Sequence, residues 1–226
     1  MANETGGFGF RSVYTLGSTP ATQGLSEYPI KSAPGKGIFQ NNPCSKQGAG
    51  DTGYLQDAAN ATMDDGIAGG YQWANNTANI LPMTGVFNGA FYISNSTSKP
   101  TWANSVASGT TFATDYNTGS ADGIGFVNDN PNQEYVVKAD AAAAVSIMVP
   151  DLTYNVEDGA TAGTTTSGQS ISKLDIGSSA AVGVGQAAFM IVRVANDPLN
   201  SDNSVLNSNL IVRFAPGSIG RNSGKL

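Results

Sequence analysis

The chain contains no histidine and, among its 226 residues, a single cysteine, Cys44. Histidine is the commonest general base and transition-metal ligand, so its absence excludes a Ser-His-Asp triad and a Cys-His pair. One cysteine can form neither an intrachain disulfide nor a zinc site built from cysteine and histidine. We therefore interpret Cys44 as a small thiol without a chemical task, and we predict neither a cofactor nor an enzymatic activity.

Charged residues are also scarce, at 12% of the chain, with 11 Lys and Arg against 17 Asp and Glu. The net charge of −6 offers no basic surface to neutralise phosphates, which argues against nucleic-acid binding. Lys, Glu, Arg and Gln normally cover the exposed faces of helices, so their scarcity favours β structure. Disorder normally combines low hydrophobicity with high charge, so we expect this weakly charged chain to fold.

The sequence shows neither the pattern of a secretory signal nor that of a membrane-spanning helix. Residues 1–5 contain no basic region followed by an apolar core. The longest apolar run, residues 141–149, is rich in alanine and far shorter than the about 20 residues that a membrane helix needs. We expect a protein that is made in the cytoplasm and has no membrane partner.

Glycine, by contrast, is abundant, with 28 residues, and short alternating or apolar segments recur along the chain. Many short strands with turn signals between them predict an all-β protein, an antiparallel β-sandwich or barrel, with a small extra β subdomain as an option. We expect the β-rich domain over residues 11–214, with a possible division near 82–130, and a flexible tail over 215–226. The predicted strands are 11–16, 27–31, 37–39, 53–56, 85–93, 110–114, 124–127, 133–140, 171–176, 188–194 and 209–214.

Three of these strands carry more specific predictions. Residues 85–93 are aromatic and β-branched around Gly89, and a glycine inside a strand often marks a bulge or a close approach of the backbone. Residues 188–194 are the most apolar strand, which predicts a central place in a sheet. Residues 209–214 alternate well, and we expect them to lie beside 188–194 as an antiparallel neighbour.

The first ten residues predict an extended N-terminal arm. The arm is rich in glycine, and because Phe8 and Phe10 are two residues apart, both rings project to one side of an extended chain. One interpretation is that the arm docks on a partner through Phe8, Phe10 and Arg11. The other is that the two rings plug the protein's own core. Both interpretations remain open from the sequence.

Acids and tryptophans supply the other candidate site residues. Two carboxylates suffice for glycoside hydrolysis, but no signature accompanies any pair of the 17 acids. Oxygen-rich loops suit Ca²⁺, yet no EF-hand spacing is present and turn chemistry explains the same residues, so we predict no metal site. Trp73 and Trp102 suit a sugar-stacking platform, although isolated tryptophans are more often partly buried anchors. The loop acids are Asp51, Asp57, Asp64, Asp65 and Asp129.

Short motifs in a fixed order extend over most of the chain. They are Gly7-Phe8-Gly9-Phe10-Arg11, Tyr28-x-Ile30 before Gly35-Lys36-Gly37, Gly85-Val86-Phe87-Asn88-Gly89-Ala90-Phe91-Tyr92 before Pro100-x-Trp102, Val127-Asn128-Asp129-Asn130-Pro131 before Tyr135-Val136-Val137, and the hairpin from Phe189 to Phe214. In this order they resemble the capsid decoration, or cement, proteins of tailed phages, often marine ones. Ser12 stands where that family has proline, and residues in the 60s and 151–185 match poorly.

The resemblance implies a β-rich structural protein that binds the outer surface of an expanded capsid and stabilises it without catalysis. It implies the major capsid protein as partner, a homotrimer, and a place on the exterior of the virion after synthesis in the host cytoplasm. Two alternatives stay open. One is a structural component of the phage tail or fibre, and the other is a carbohydrate-binding adhesion module with an exposed Trp73 or Trp102.

Overall fold

All regular elements that the structure describes are β-strands. The computed structural model describes residues 3–16, 19–20, 24–46, 53–58, 83–115, 119–142, 153–157, 163–176, 188–200 and 202–215. Within these ranges no helix occurs, several antiparallel sheets pack together as in a sandwich, and no barrel closes. The all-β prediction is therefore confirmed. Trp73, Asp51, Asp64, Asp65 and all of the tail except Ala215 lie outside the described residues.

The described residues form fifteen strands. These are β1 (Arg11–Thr15), β2 (Thr19–Pro20), β3 (Ser26–Ile30), β4 (Ile38–Phe39), β5 (Pro43–Lys46), β6 (Leu55–Asp57), β7 (Met83–Ile93), β8 (Pro100–Ala103), β9 (Ser105–Val106), β10 (Gly123–Asn128), β11 (Gln133–Lys138), β12 (Asn155–Glu157), β13 (Lys173–Asp175), β14 (Phe189–Val194) and β15 (Asn209–Phe214).

Two large sheets organise these strands. Sheet A has the order β14-β15-β11-β1-β2, and sheet B has the order β3-β10-β7-β5-β6, with β8 also pairing with β7. The pairings within both sheets are antiparallel. Two small sheets, β12-β13 and β4-β9, complete the described architecture.

Alternation along the strands produces two main hydrophobic cores. Strand β11 sends Tyr135 and Val137 into a core formed mainly by sheet A, while Val136 points to the opposite face and packs there against Phe8. A second core lies on one face of sheet B and includes Phe87 and Val127. Strand β11 is thus covered on both faces, and every residue of it is buried.

Sheet A covers only one end of the opposite face of sheet B. At that end Val86, whose side chain points away from Phe87, packs into the core of sheet A. Further along β7 the register with β10 shifts between Phe87 and Gly89, so that Asn88 is the extra residue of a β-bulge. Both alternatives predicted for Gly89 are found here, because the bulge lies one residue before it and a Cβ on Gly89 would lie 3.2 Å from the carbonyl oxygen of Ala103. Beyond the bulge, the face of sheet B that sheet A leaves uncovered is available for a site.

The antiparallel pairing of β14 with β15 is confirmed, but the central position predicted for residues 188–194 is wrong. Strand β14 is the last strand of sheet A among the described residues, and beyond it only Phe189 forms a bridge, to Tyr154. Only one face of β14 packs into the core, for example through Ile191, whereas Val192 is exposed. Residues 110–114 are not a strand, and only Phe112 bridges there, to Ser94.

Candidate functional site

The N-terminal arm is fastened to the chain's own sheets. Phe10 is fully buried in the core of sheet A and stacks on Phe189 with ring centroids 4.3 Å apart. Phe8 is partly buried on the outer face of sheet A. Arg11 is exposed and lies with its guanidinium 5.1 Å from the centre of the Phe8 ring. Phe10 therefore follows the core-plug interpretation and cannot contact a partner in this fold, whereas the surface at Phe8 and Arg11 remains accessible.

Glycine is needed in the arm because the backbone passes close to neighbouring segments, not because the arm is loose. A Cβ on Gly7 would lie 2.3 Å from the carbonyl oxygen of Ile171. Gly9 has φ +72°, and a Cβ there would lie 2.5 Å from the carbonyl oxygen of Asn41. The same carbonyl accepts a hydrogen bond from the Phe10 N–H at 2.8 Å. The two glycines thus fix the path of the arm.

The start of the arm is held by a buried lysine and a polar turn. The Lys138 ammonium donates to the Glu4 carbonyl at 2.5 Å and to the Asn200 side-chain oxygen at 3.2 Å. The Glu4 N–H donates to the same Asn200 oxygen, and the Asn3 amide donates to the carbonyl of Leu206. Burial lowers the pKa of Lys138, while the carboxylate charges of Glu4 and Asp197 act in the opposite direction. Residues 3–4 are thereby tied to Asn200, Asp202 and Leu206.

A buried amide network fixes the corner that follows strand β4. Asn42 donates through its amide to Asp57 at 2.7 Å, and its side-chain oxygen accepts from the hydroxyls of Ser170 and Ser172, both at 2.7 Å. The backbone of Asn42 also accepts from the Phe87 N–H. Because all these side chains are buried, their hydrogen bonds rigidify the corner that joins sheet B to residues 170–172.

Beside this corner lies a polar cleft of about 230 Å³, which we call the amide pocket. The bulge residue Asn88 reaches it from β7, where its side-chain oxygen faces the Gln40 amide at 3.4 Å. Asn128 reaches it from the end of β10. Among the described residues that line the pocket none is an acid, and Arg11 is the only charged residue, with its guanidinium over the Phe8 ring. Its lining residues are Arg11, Ser12, Gln40, Asn41, Val86, Phe87, Asn88, Asn128 and Gln169.

The uncovered face of sheet B carries a group of apolar side chains, which we call the aromatic shelf: Phe91, Trp102, Ile124 and Phe126. Phe91 pairs in register with Ile124 on one side and with Trp102 on the other. Trp102 stacks on Phe126 with centroids 5.2 Å apart and planes 16° apart, and it also contacts Phe91 at 4.8 Å. Gly89 pairs with Phe126 in register, so the indole leans across a position without a side chain. Trp102 nevertheless remains 71% exposed.

The Cys44 thiol and several acidic side chains are buried and interact with neighbouring groups of the fold. Burial raises the pKa of the Cys44 thiol well above its usual range, and Asp57 opposite it acts in the same direction. The buried Glu134 carboxylate accepts from the Arg193 guanidinium at 3.1 Å, and Asp129 accepts from the Tyr28 hydroxyl. Across the described ranges, no three His, Cys, Asp or Glu side chains gather to hold a metal ion. Because it is buried and its pKa is raised, the Cys44 thiol is a poor nucleophile in the folded state.

Sequence reasoning found some of these residues and missed others. It named Trp102 as a candidate stacking residue and Arg11 as a candidate contact, but not the amides around Arg11. Their sequence positions, at turns and strand ends, indicate only turn chemistry, because residues far apart in the chain meet in the pocket.

Comparison with protein-family models, curated proteins and solved structures returns no significant match. Among the residues that the structure describes, no helix is long and apolar enough to span a membrane.

Proposed function

We propose that this chain is a structural virion protein that binds the outer surface of an expanded phage capsid, as a homotrimer, and stabilises the shell. The proposal rests on the motif order given above and on a set of surfaces suited to contact rather than turnover. Its partner is the major capsid protein, and it needs neither a cofactor nor a titrating group.

One observation carries the proposal: exposed apolar side chains gather where the N-terminal arm is fastened. The segments 197–200 and 202–207, which hold Asn3 and Glu4, also expose Leu199, Val205 and Leu206. Apolar side chains collected on a rigid surface are typical of protein contact sites. Because the arm is already ordered, docking this surface carries little additional cost in conformational entropy.

The physical basis of stabilisation is linkage. A protein that binds the expanded lattice and not the unexpanded one shifts the equilibrium between them by mass action. Three copies joined around a symmetry axis bind with higher avidity than one copy, without any single tight site.

Cosedimentation of the purified chain with expanded and unexpanded capsids of the phage that encodes it tests the proposal. We expect binding to expanded shells only, and light scattering should report a trimer. Leu206→Asp should abolish attachment, because a charge would be desolvated in the contact. Leu16→Asp is the matched control, since Leu16 is 53% exposed against 54% for Leu206 and lies at the other end of β1 from the arm.

Two outcomes would contradict the proposal. Equal loss of attachment in both variants would mean that the surface at residues 197–207 is not the contact. Failure of the wild-type chain to bind either form of the shell, together with binding to purified tails, would favour the tail or fibre alternative.

A further inference from the structure

A lysine and an asparagine side chain meet where the N-terminal arm begins. Lys138, at the end of β11, is buried, and its Nζ lies 3.2 Å from the Oδ1 of Asn200, which is buried as well. The two residues are 62 positions apart in the chain. A lysine amine and an asparagine amide can condense to an isopeptide bond where the fold holds them together and removes the amine from water. The groups around this pair therefore decide whether it reacts.

The Asn200 carboxamide, which would be the electrophile, is held in a fixed orientation. Its Oδ1 accepts from the Glu4 N–H at 2.8 Å, and its Nδ2 donates to the Asp197 Oδ2 at 3.2 Å. The backbone carbonyl of Asn200 accepts from the N–H of Asn209, which pairs in register with Lys138. A donor on one side of the amide and a carboxylate on the other distinguish its oxygen from its nitrogen. The oxygen is thereby kept toward Lys138.

The Lys138 amine, which would be the nucleophile, is desolvated and positioned. Its Nζ also donates to the Glu4 carbonyl at 2.5 Å, and the centre of the Phe8 ring lies 6.0 Å away. Burial lowers the pKa of Lys138, and the charge of Lys173 acts in the same direction, against the carboxylates of Glu4 and Asp197. Burial and a neighbouring cation both increase the share of neutral amine, which is the form that attacks a carbonyl carbon.

Two further groups stand where the condensation needs them. When the amine adds to the Asn200 Cγ, negative charge develops on Oδ1, and the Glu4 N–H at 2.8 Å stabilises it as a donor of an oxyanion hole does. Asp197 is hydrogen-bonded to the nitrogen that must leave, and its charge acts on the Lys138 ammonium. Its carboxylate can therefore take a proton from Nζ and give it to Nδ2.

We propose that Lys138 and Asn200 become joined, once the chain has folded, by an intramolecular isopeptide bond. The neutral Nζ attacks Cγ and a C–N bond forms, while Asp197 passes the proton that Nζ loses to Nδ2. The Cγ–Nδ2 bond then breaks, its electron pair stays on nitrogen, and ammonia leaves. The reaction consumes no oxidant, metal or cofactor. It goes beyond the proposed capsid function and does not rest on it.

The bond would fasten the arm's attachment site covalently to sheet A. It closes the chain between β11 and the segment that follows β14, so it restricts the unfolded chain as a disulfide would. The single cysteine of this chain cannot supply such a cross-link.

A second pair of the same kind supplies a matched control. The Lys173 ammonium donates to the Asn207 Oδ1 at 2.9 Å. Lys173 is only half-buried, so water solvates its ammonium more fully than that of Lys138. Lys173→Arg keeps the positive charge near Lys138 and removes only the amine, so it should leave the proposed bond unaffected.

Intact mass spectrometry of the purified, denatured chain tests the inference. We expect the wild type to have lost one ammonia from the mass of its sequence, Lys173→Arg to show the same loss, and Lys138→Arg to show none. Asp197→Asn should form the bond about a hundredfold more slowly, because an amide cannot take up the proton. Trypsin should fail to cut after Lys138, and the peptide that contains it should stay joined to residues 194–213.

Three results would overturn the inference. One is a wild-type chain that keeps its full mass. Another is a loss of ammonia that persists in Lys138→Arg, which would come from a succinimide at an asparagine instead. The third is a joined peptide that contains Lys173 in place of Lys138. Thermal melts check that each variant folds, and the wild-type mass is decisive even where a variant does not. None of these readings depends on capsid binding, so they are separate from the test of the proposed function.

Discussion

Replacing Phe10 with alanine is expected to destabilise the fold by about 3–5 kcal/mol, the usual cost of removing a buried phenylalanine ring. The ring is fully buried, stacks on Phe189, and belongs to a core in which Phe189 also stacks on Phe214 at 4.9 Å. The loss should be near the upper end of that range, because Gly9 and Asn41 fix the backbone on either side and hinder collapse around the cavity.

Urea unfolding followed by fluorescence measures this loss, with Phe8→Ala as the comparison. The Phe8 ring is only partly buried, so its removal should cost less, about 1–2 kcal/mol. For a chain of this size the Phe10→Ala melting temperature should fall by about 6–20 °C. Equal stabilities of Phe10→Ala and the wild type would refute the reasoning, since the ring would then be a surface residue that docks elsewhere.

Three further predictions concern single side chains. Gly9→Ala should destabilise the fold far more than Gly6→Ala, because Gly9 has a positive φ and a Cβ there meets Asn41, whereas a Cβ on Gly6 meets nothing within 4 Å; chemical denaturation of both variants is the measurement. Cys44 should resist a thiol reagent in the folded chain and react only after unfolding, and rapid labelling under native conditions would contradict its burial. Hydrogen bonds from a backbone N–H and from amide side chains lower the pKa of Asp197. Its contribution to stability should therefore be present above the ordinary aspartate pKa and lost as the pH falls through the lower pKa of the folded state. In melts at a series of acidic pH values, Asp197→Asn should reduce the fall of the melting temperature with pH.

Local patterns were sufficient to predict many of the strands. Residues 85–93 were predicted from their aromatic and β-branched content and residues 209–214 from their alternation, and both are properties of the segment alone. Strand β8 was missed because Lys99-Pro100 indicates a break, yet Pro100 begins an edge strand whose partner β7 supplies the pairing. Strand β5 was missed for a similar reason, since Pro43 follows two asparagines.

Long-range contacts explain why the site was only partly predicted. Two aromatic residues in a glycine-rich arm have the same sequence pattern whether they dock on a partner or pack into the protein's own core. Phe10 packs into the core because there is space for its ring beside Phe189, which is more than 170 residues away in the chain. The amide pocket likewise joins β1, β7 and β10 with residue 169. Asparagine and glutamine are frequent in turns, so their sequence positions carry no signal for a shared cleft.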